Sequence, residues 1–391
     1  MIDKFTYINI KIKIKNFYID IYIHKMSFPS NFSEITVEYL NKVLEPIFNS
    51  KIISFTQGSP IEPGFTGEII RIIPEYEKKS ENNLPKCFII KFQTSNKGIN
   101  KFMTKIKGYE KEQKIYEILK PYEKELNLPK IYYTNINEEG NKYIIIMEDL
   151  KERGLYNINR DKFLDLKILK LIVEYFALLQ SHFWGPDNLK KIEWIKDYNF
   201  ASYMKEFTTQ NFDKKKLFFI NNNKALLNDN LINEIKNIKI NELYEKIDPD
   251  SEKNKNRITL LHGDPQQGNL MVNEEKNIMA MIDWQYINIG LGLKDVILFI
   301  GISLDENSIK KEDIIDLKNL YYNILVNKGI QYDKKAFEED WKNICLISLC
   351  NIVSASAEEN IGDDEEKKKK YGEHIMRSEK RFITFIQLQN L

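Results

Sequence analysis

The period of the hydrophobic positions changes along the chain. Residues 1–25 alternate Ile with Lys, Asn or Tyr, a step of two that predicts strand. This stretch lacks the continuous apolar run of a secretory signal, and its composition resembles translated AT-rich non-coding DNA. Met26-Ser27 makes a natural start, so 1–25 is expected to be a doubtful N-terminal extension. A helix is expected over 33–48, with Thr36 and Glu38 in its first turns. Strands are expected at 51–57, 65–74, 86–93, 130–134 and 142–147, with Gly, Pro and Asn between them. One helix, 101–119, interrupts them and ends at Pro121. After Asp149 the step becomes helical: Leu166, Leu169, Ile172, Val173, Phe176, Leu179 and Phe183 recur at three and four residues. More helix is expected over 193–245, then a polar loop over 247–257 and short strands at 258–261 and 278–282. The remainder is helical in tendency. The class is therefore α+β: a small, mainly antiparallel β lobe with one long helix, then a larger, mostly helical lobe.

Composition narrows what such a chain can do. Of 391 residues, 58 are Lys or Arg and 57 Asp or Glu, for a net charge of +1. That balance argues against a dedicated nucleic-acid partner, which would show a basic excess. No run of 18 apolar residues exists, so membrane insertion through a helix is not expected. Cys87, Cys345 and Cys350 form no metal or redox motif, and buried thiols in a reducing compartment, the cytosol, are expected. The basic residues are 52 Lys and only 6 Arg. A lysine by itself therefore carries little signal.

The chemistry concentrates in LLHGDPQQGNLMVN and the following MIDWQ. Four residues separate Asp264 from Asn269, and Asp283 stands near the end of the next short strand. Phosphoryl transfer needs a carboxylate for the proton of the incoming hydroxyl and oxygen ligands for Mg²⁺. These three side chains can supply both. A polar turn explains Asp and Asn singly but not their joint spacing between two apolar runs.

The segment resembles the aminoglycoside phosphotransferase and choline-kinase-like superfamily, and within it the CHK-kinase-like, ecdysteroid-kinase-like group. IIIMEDL, ALLQSHFW and GLGLKDVILF follow the same order. The resemblance covers most of residues 33–360 and is sharp only over 262–285. It implies a two-lobed protein-kinase-like fold, with a nucleotide-binding lobe over 26–150 and a helical lobe with catalytic and metal loops over 151–391. ATP would lie between them. It implies Asp264 as the base, Asn269 and Asp283 as Mg²⁺ ligands, His262 as a brace and Asp295 as a buried structural aspartate. Lys91 in KCFIIKF is the phosphate-contacting lysine. Glu112, ahead of competitors Glu110 and Glu117, is the carboxylate that orients it. Gly64, Thr66 and Gly67 are candidates for backbone contact with phosphate, although a hairpin turn explains them almost as well. Glu148 and Leu150 are candidates for the adenine hinge. Trp284 is expected to pack beneath the metal loop and Gln285 to support it.

The acceptor implied is a hydroxyl of a small molecule. Two departures, Gly263 for Asn and Trp284 for Phe, separate the chain from choline kinases. The acidic run over 358–366 could meet a cationic acceptor, but a solvated loop is the simpler reading. Two alternatives stand beside the ATP- and Mg²⁺-dependent phosphotransferase. One is a catalytically silent kinase-like binding module, which the presence of all three chemistry-bearing residues disfavours. The other is a protein kinase, which the absence of an A-P-E motif after Asp283 disfavours. Acceptor, pathway and oligomeric state are left open.

Overall fold

The computed structural model describes residues 7–14, 17–24, 28–59, 66–77, 84–158, 162–197, 200–357 and 365–389. Its strands are β1 (Tyr7–Ile14), β2 (Phe17–His24), β3 (Ile52–Gln57), β4 (Gly67–Tyr76), β5 (Phe88–Gln93), β6 (Ile131–Ile136), β7 (Tyr143–Glu148), β8 (Tyr156–Asn157), β9 (Ile258–Leu261), β10 (Leu270–Asn273), β11 (Ile278–Met281) and β12 (Asn288–Leu291). Its helices are α1 (Val37–Phe48), α2 (Lys97–Lys105), α3 (Gly108–Leu119), α4 (Leu166–Ser181), α5 (Gly185–Leu189), α6 (Phe200–Thr209), α7 (Phe212–Asn222), α8 (Asp229–Asn237), α9 (Ile240–Lys246), α10 (Leu293–Ser303), α11 (Lys311–Asn327), α12 (Lys334–Ser356) and α13 (Glu365–Leu388). The chain divides into two compact units, Met1–Asn100 with Tyr132–Met147, and Lys101–Ile131 with Glu148–Leu391.

The first unit is built on a five-stranded sheet in the order β3-β4-β5-β7-β6. β3, β4 and β5 pair antiparallel, with Ile69 opposite Lys91 and Gly67 opposite Gln93. Helix α1 sends Leu40, Val43 and Leu44 into a core with Ile72, Phe88, Ile90, Phe92, Ile144 and Ile146. Burying each large side chain of that group contributes roughly 1.5–3 kcal/mol. The helix starts at Val37, later than 33, because Thr36 is extended and its side chain accepts from Tyr39 N at 3.1 Å, an N-cap. Residues 32–34 instead form a separate 3-10 turn. The alternating N-terminal stretch forms the antiparallel pair β1–β2, and the Met26 start lies outside the described residues.

The expected single helix over 101–119 is two. Lys107 takes a left-handed φ of 56° and ends α2, and Gly108 opens α3. A methyl group at Gly108 would run into Met103 Cε, so α3 starts in close contact with the Met103 side chain.

The second unit is mostly helical, with two small sheets, β11-β10-β8 and β12-β9. β10 and β12 are strands that hydrophobic periodicity does not predict. They are four residues long and pair with β11 and β9. α4 buries Leu169, Ile172, Val173, Phe176 and Leu179, the stripe its spacing predicts, and Asp165 caps it. Cys345 and Cys350 are buried in α12, and burial pushes both thiols well above their ordinary range. No helix among the described residues is long and apolar enough to cross a membrane.

Candidate active site

The second unit brings Asp264, Asn269 and Asp283 to one end of the β10–β11 ribbon. β9 delivers the chain to His262, a 3-10 turn at Gln267–Asn269 starts β10, and β11 returns it to Asp283. Leu270 stands opposite Met281, and Ile282 N donates to Asn269 O at 3.0 Å. Asn269 and Asp283 are thereby held on neighbouring strand ends. Asn269 Nδ2 donates to Asp264 O at 3.0 Å and to Asp264 Oδ2 at 2.8 Å. With its nitrogen committed in this way, the amide oxygen is the Asn269 atom able to act as a ligand. Gln266 Nε2 donates to the same Asp264 Oδ2 at 2.8 Å, a support that the sequence reading did not single out.

Asp283 takes a left-handed φ of 67° and starts the turn Trp284–Tyr286. Trp284 is fully buried beneath it, with Nε1 donating to Met281 O at 3.2 Å and its ring 4.7 Å from that of His262. His262 Nε2 lies 3.1 Å from Ile282 O, which can only accept, so Nε2 carries the hydrogen. Asp264 N approaches His262 Nδ1 at 3.4 Å. His262 therefore ties the two loops together with a neutral ring. Tyr286 reports their closeness. Its hydroxyl is pushed well above its ordinary value by burial first, and then by both the Asp264 and Asp283 carboxylates.

Asp295, near the start of α10, fixes the backbone before Asp264. Its Oδ2 accepts from His262 N at 2.7 Å and its Oδ1 from Gly263 N at 3.2 Å. Burial pushes its carboxyl up to about 7, while these two N–H groups, Lys294 and Gln180 pull it down. Gln180, on the buried face of α4, also donates to Gly292 O at 3.0 Å and accepts from Tyr321 Oη at 2.6 Å. A glutamine inside an apolar helical stripe was the available signal for it. Gly263 has a φ of 83°, and a methyl there would run into the Tyr286 carbonyl oxygen and lie 2.8 Å from Asn288 Nδ2. That close approach explains why the position takes no asparagine.

The three glutamates of α3 have different surroundings. Glu112 is fully buried and accepts from Gln285 Nε2 at 3.0 Å. Glu110 bonds Lys114 at 2.7 Å and Lys107 at 3.6 Å, and Glu117 is exposed.

In the first unit, Lys91 is buried on β5, Thr66 is buried just before β4, and Gly67 begins β4. A methyl at Gly67 would stand 2.7 Å from Phe92 O and 3.2 Å from Lys91 Cε. Gly64 lies outside the described residues, as do residues 358–364 of the acidic run. Glu148 is engaged by Arg153 Nε at 3.2 Å and by Lys130 N at 3.0 Å, and Leu150 is buried at the start of a 3-10 turn that Asp149 caps.

The donor set suits Mg²⁺. Asn269 and Asp283 offer hard oxygen atoms, and no group of three or more His, Cys, Asp or Glu side chains able to hold a metal occurs among the described residues. Mg²⁺ bound beside nucleotide takes one or two protein ligands plus phosphate oxygens and water, which two side chains satisfy.

Comparison with curated proteins finds no match. Among solved structures, the chain is similar to an ethanolamine kinase of Plasmodium vivax, at 16% identity and a TM-score of 0.47, over 83% of this chain and 82% of that one. It is similar to the ADP-bound aminoglycoside phosphotransferase APH(2'')-Ib, at 15% identity and a TM-score of 0.40, over 88% of this chain and 97% of that one. It is also similar to an aminoglycoside-3'-phosphotransferase of type VIII, at 10% identity and a TM-score of 0.34, over 74% and 92%. The model of the ecdysteroid kinase-like family matches residues 63–334, more than half of the chain. The protein belongs to the ecdysteroid kinase-like family.

Proposed function

We propose that this protein transfers the γ-phosphoryl group of ATP to a hydroxyl of a small molecule in the cytosol, with Mg²⁺. The observation that carries the reading is the gathering of Asp264, Asn269 and Asp283 at one ribbon end, with the amides of Asn269 and Gln266 both on Asp264 Oδ2. Family membership supports it.

In this reading Asp264 accepts the proton of the acceptor hydroxyl. The acceptor oxygen bonds the γ-phosphorus, the bond from that phosphorus to the bridging oxygen breaks, and ADP leaves with the electron pair. The two amides orient Asp264, and His262 keeps its loop against that of Asp283. Asn269 Oδ1 and the Asp283 carboxylate would hold Mg²⁺. When bound, Mg²⁺ would supply positive charge against the phosphate oxygens. Lys91 meets phosphate oxygens, and the backbone N–H groups of Thr66 and Gly67 are candidates for the same contact. The backbone at Glu148 and Leu150 receives adenine.

The test is ATP consumption across a panel of hydroxylated small molecules, with and without Mg²⁺, in wild type and Asp264→Ala. Mg²⁺-dependent turnover with one acceptor class, lost in Asp264→Ala while nucleotide still binds, is the expected result. Asp283→Ala should instead weaken binding of the Mg²⁺–nucleotide complex. A wild-type protein that binds nucleotide but consumes none with any acceptor would leave the silent binding module as the function.

A further inference from the structure

Gln285 has no role in the chemistry above, yet it is fully buried and its amide donates to the fully buried Glu112 carboxylate. A buried carboxylate is held in place by its donors, and losing one weakens that hold. The amide nitrogen supplies a donor that a glutamate or leucine at 285 could not. We infer that Gln285 is a positioning residue: its hydrogen bond locks the turn after Asp283 to α3, so the metal-holding aspartate and the Glu112 carboxylate share one brace. The inference rests on the function proposed above.

Three observations support it. Only Trp284 separates Asp283 from Gln285, and all three lie in one tight turn that starts from a left-handed residue. A displacement of the amide is therefore passed to Asp283 through two peptide units. The helix side is equally close. At Gly108, the first residue of α3, a methyl would lie 3.5 Å from Gln285 O and 3.6 Å from Gln285 Cβ. Finally, Tyr116, one turn after Glu112 in α3, is buried. Its hydroxyl is raised well above its ordinary value by burial, then by Glu112 and by Asp283. The glutamate of α3 and the aspartate of the turn thus act on one phenol. Removing a hydrogen-bonded neighbour that orients a metal ligand typically costs about 10–100-fold in metal affinity. A brace of this kind therefore bears directly on metal affinity.

The experiment measures binding of a non-hydrolysable ATP analogue to the full chain by calorimetry, once with Mg²⁺ and once with a chelator. The quantity read is the ratio of the two affinities, which needs no acceptor. Gln285→Leu keeps the volume and removes the donor. Glu112→Leu breaks the same bond from α3. Glu112→Gln keeps an oxygen that can accept from Gln285. Both leucine variants are expected to lose about tenfold in the ratio, about 1.4 kcal/mol. Glu112→Gln, which keeps an acceptor for Gln285 and loses the charge, is expected to lose less in the ratio than Glu112→Leu. A purely structural role would lower the melting temperature and leave the ratio unchanged in every variant, which overturns the inference. Should Gln285→Leu not fold, the two Glu112 variants are read alone, and equal ratios overturn it. A wild-type ratio of one would sink the phosphotransferase reading itself, an outcome separate from unchanged variants on a Mg²⁺-dependent wild type.

Discussion

The candidate residues around Asp264 and those on β4 and β5 are held by different forces. Asp264, Asn269 and Asp283 depend on side chains: two amides on one carboxylate oxygen, a histidine between two loops, and a buried aspartate under the His262 and Gly263 backbone. Lys91 and Gly67 are set by a backbone ladder over an apolar core, with Ile69 opposite Lys91. Directed polar bonds fix a side chain to within a few tenths of an ångström but fail one by one. A strand ladder fixes the backbone collectively and leaves the side chain more freedom.

Asp264→Ala separates the two most sharply. Removing a general base should lower turnover by about 10²–10⁴-fold in a steady-state assay, with nucleotide binding kept. Gly263→Ala comes next. A residue with a side chain at this φ, against the Tyr286 carbonyl, should lose about 2–5 kcal/mol in urea unfolding as left-handed strain and overpacking add. Gly67→Ala is the matching change on the ladder. The strand can shift as a body, so about 1–3 kcal/mol is expected, with weaker nucleotide binding by calorimetry. A loss at Gly67 as large as that at Gly263 would remove the distinction.

Asp295 provides a smaller effect with a defined sign. Its carboxyl stands at about 7 in the folded chain against an ordinary 3.8. A carboxyl raised by folding stabilises at low pH, and that contribution is lost as pH climbs through the folded value. Between about pH 4 and 7 it should therefore lower stability with rising pH, at up to about 1.4 kcal/mol per unit. Asp295→Asn should lack that component when unfolding is compared at pH 5 and 7.5. The smallest effect is Thr36→Ala, at the N-terminus of α1. Losing its cap should cost about 1 kcal/mol and leave turnover unchanged.

The same contrast explains what could be read from the chain alone. The strands of the five-stranded sheet and the α4 stripe were legible because burial on one face imposes a period. The triad was legible because its members lie within one short segment, where spacing is itself geometry. The break at Lys107 was not, since a lysine at a left-handed φ leaves no mark in the hydrophobic period. β10 (LMVN) and β12 (NIGL) carry Asn or Gly, residues poor in strands, and so read as loop, where the equally short β9 (ITLL) and β11 (IMAM) do not. Gln266, Tyr286 and Tyr116 looked like ordinary polar or aromatic residues, and only their three-dimensional neighbours distinguish them. Gln285 was expected to support the metal loop, but its bond to Glu112 could not be read from spacing.

The left-handed backbone at Asp283 carries a further consequence for anyone seeking a sturdier version of this protein. An L-residue there gives up roughly 1 kcal/mol that glycine would return. A search for thermostabilising substitutions guided by torsion angles would place position 283 near the top of its ranking, and would thereby trade away the carboxylate that the proposed reaction needs.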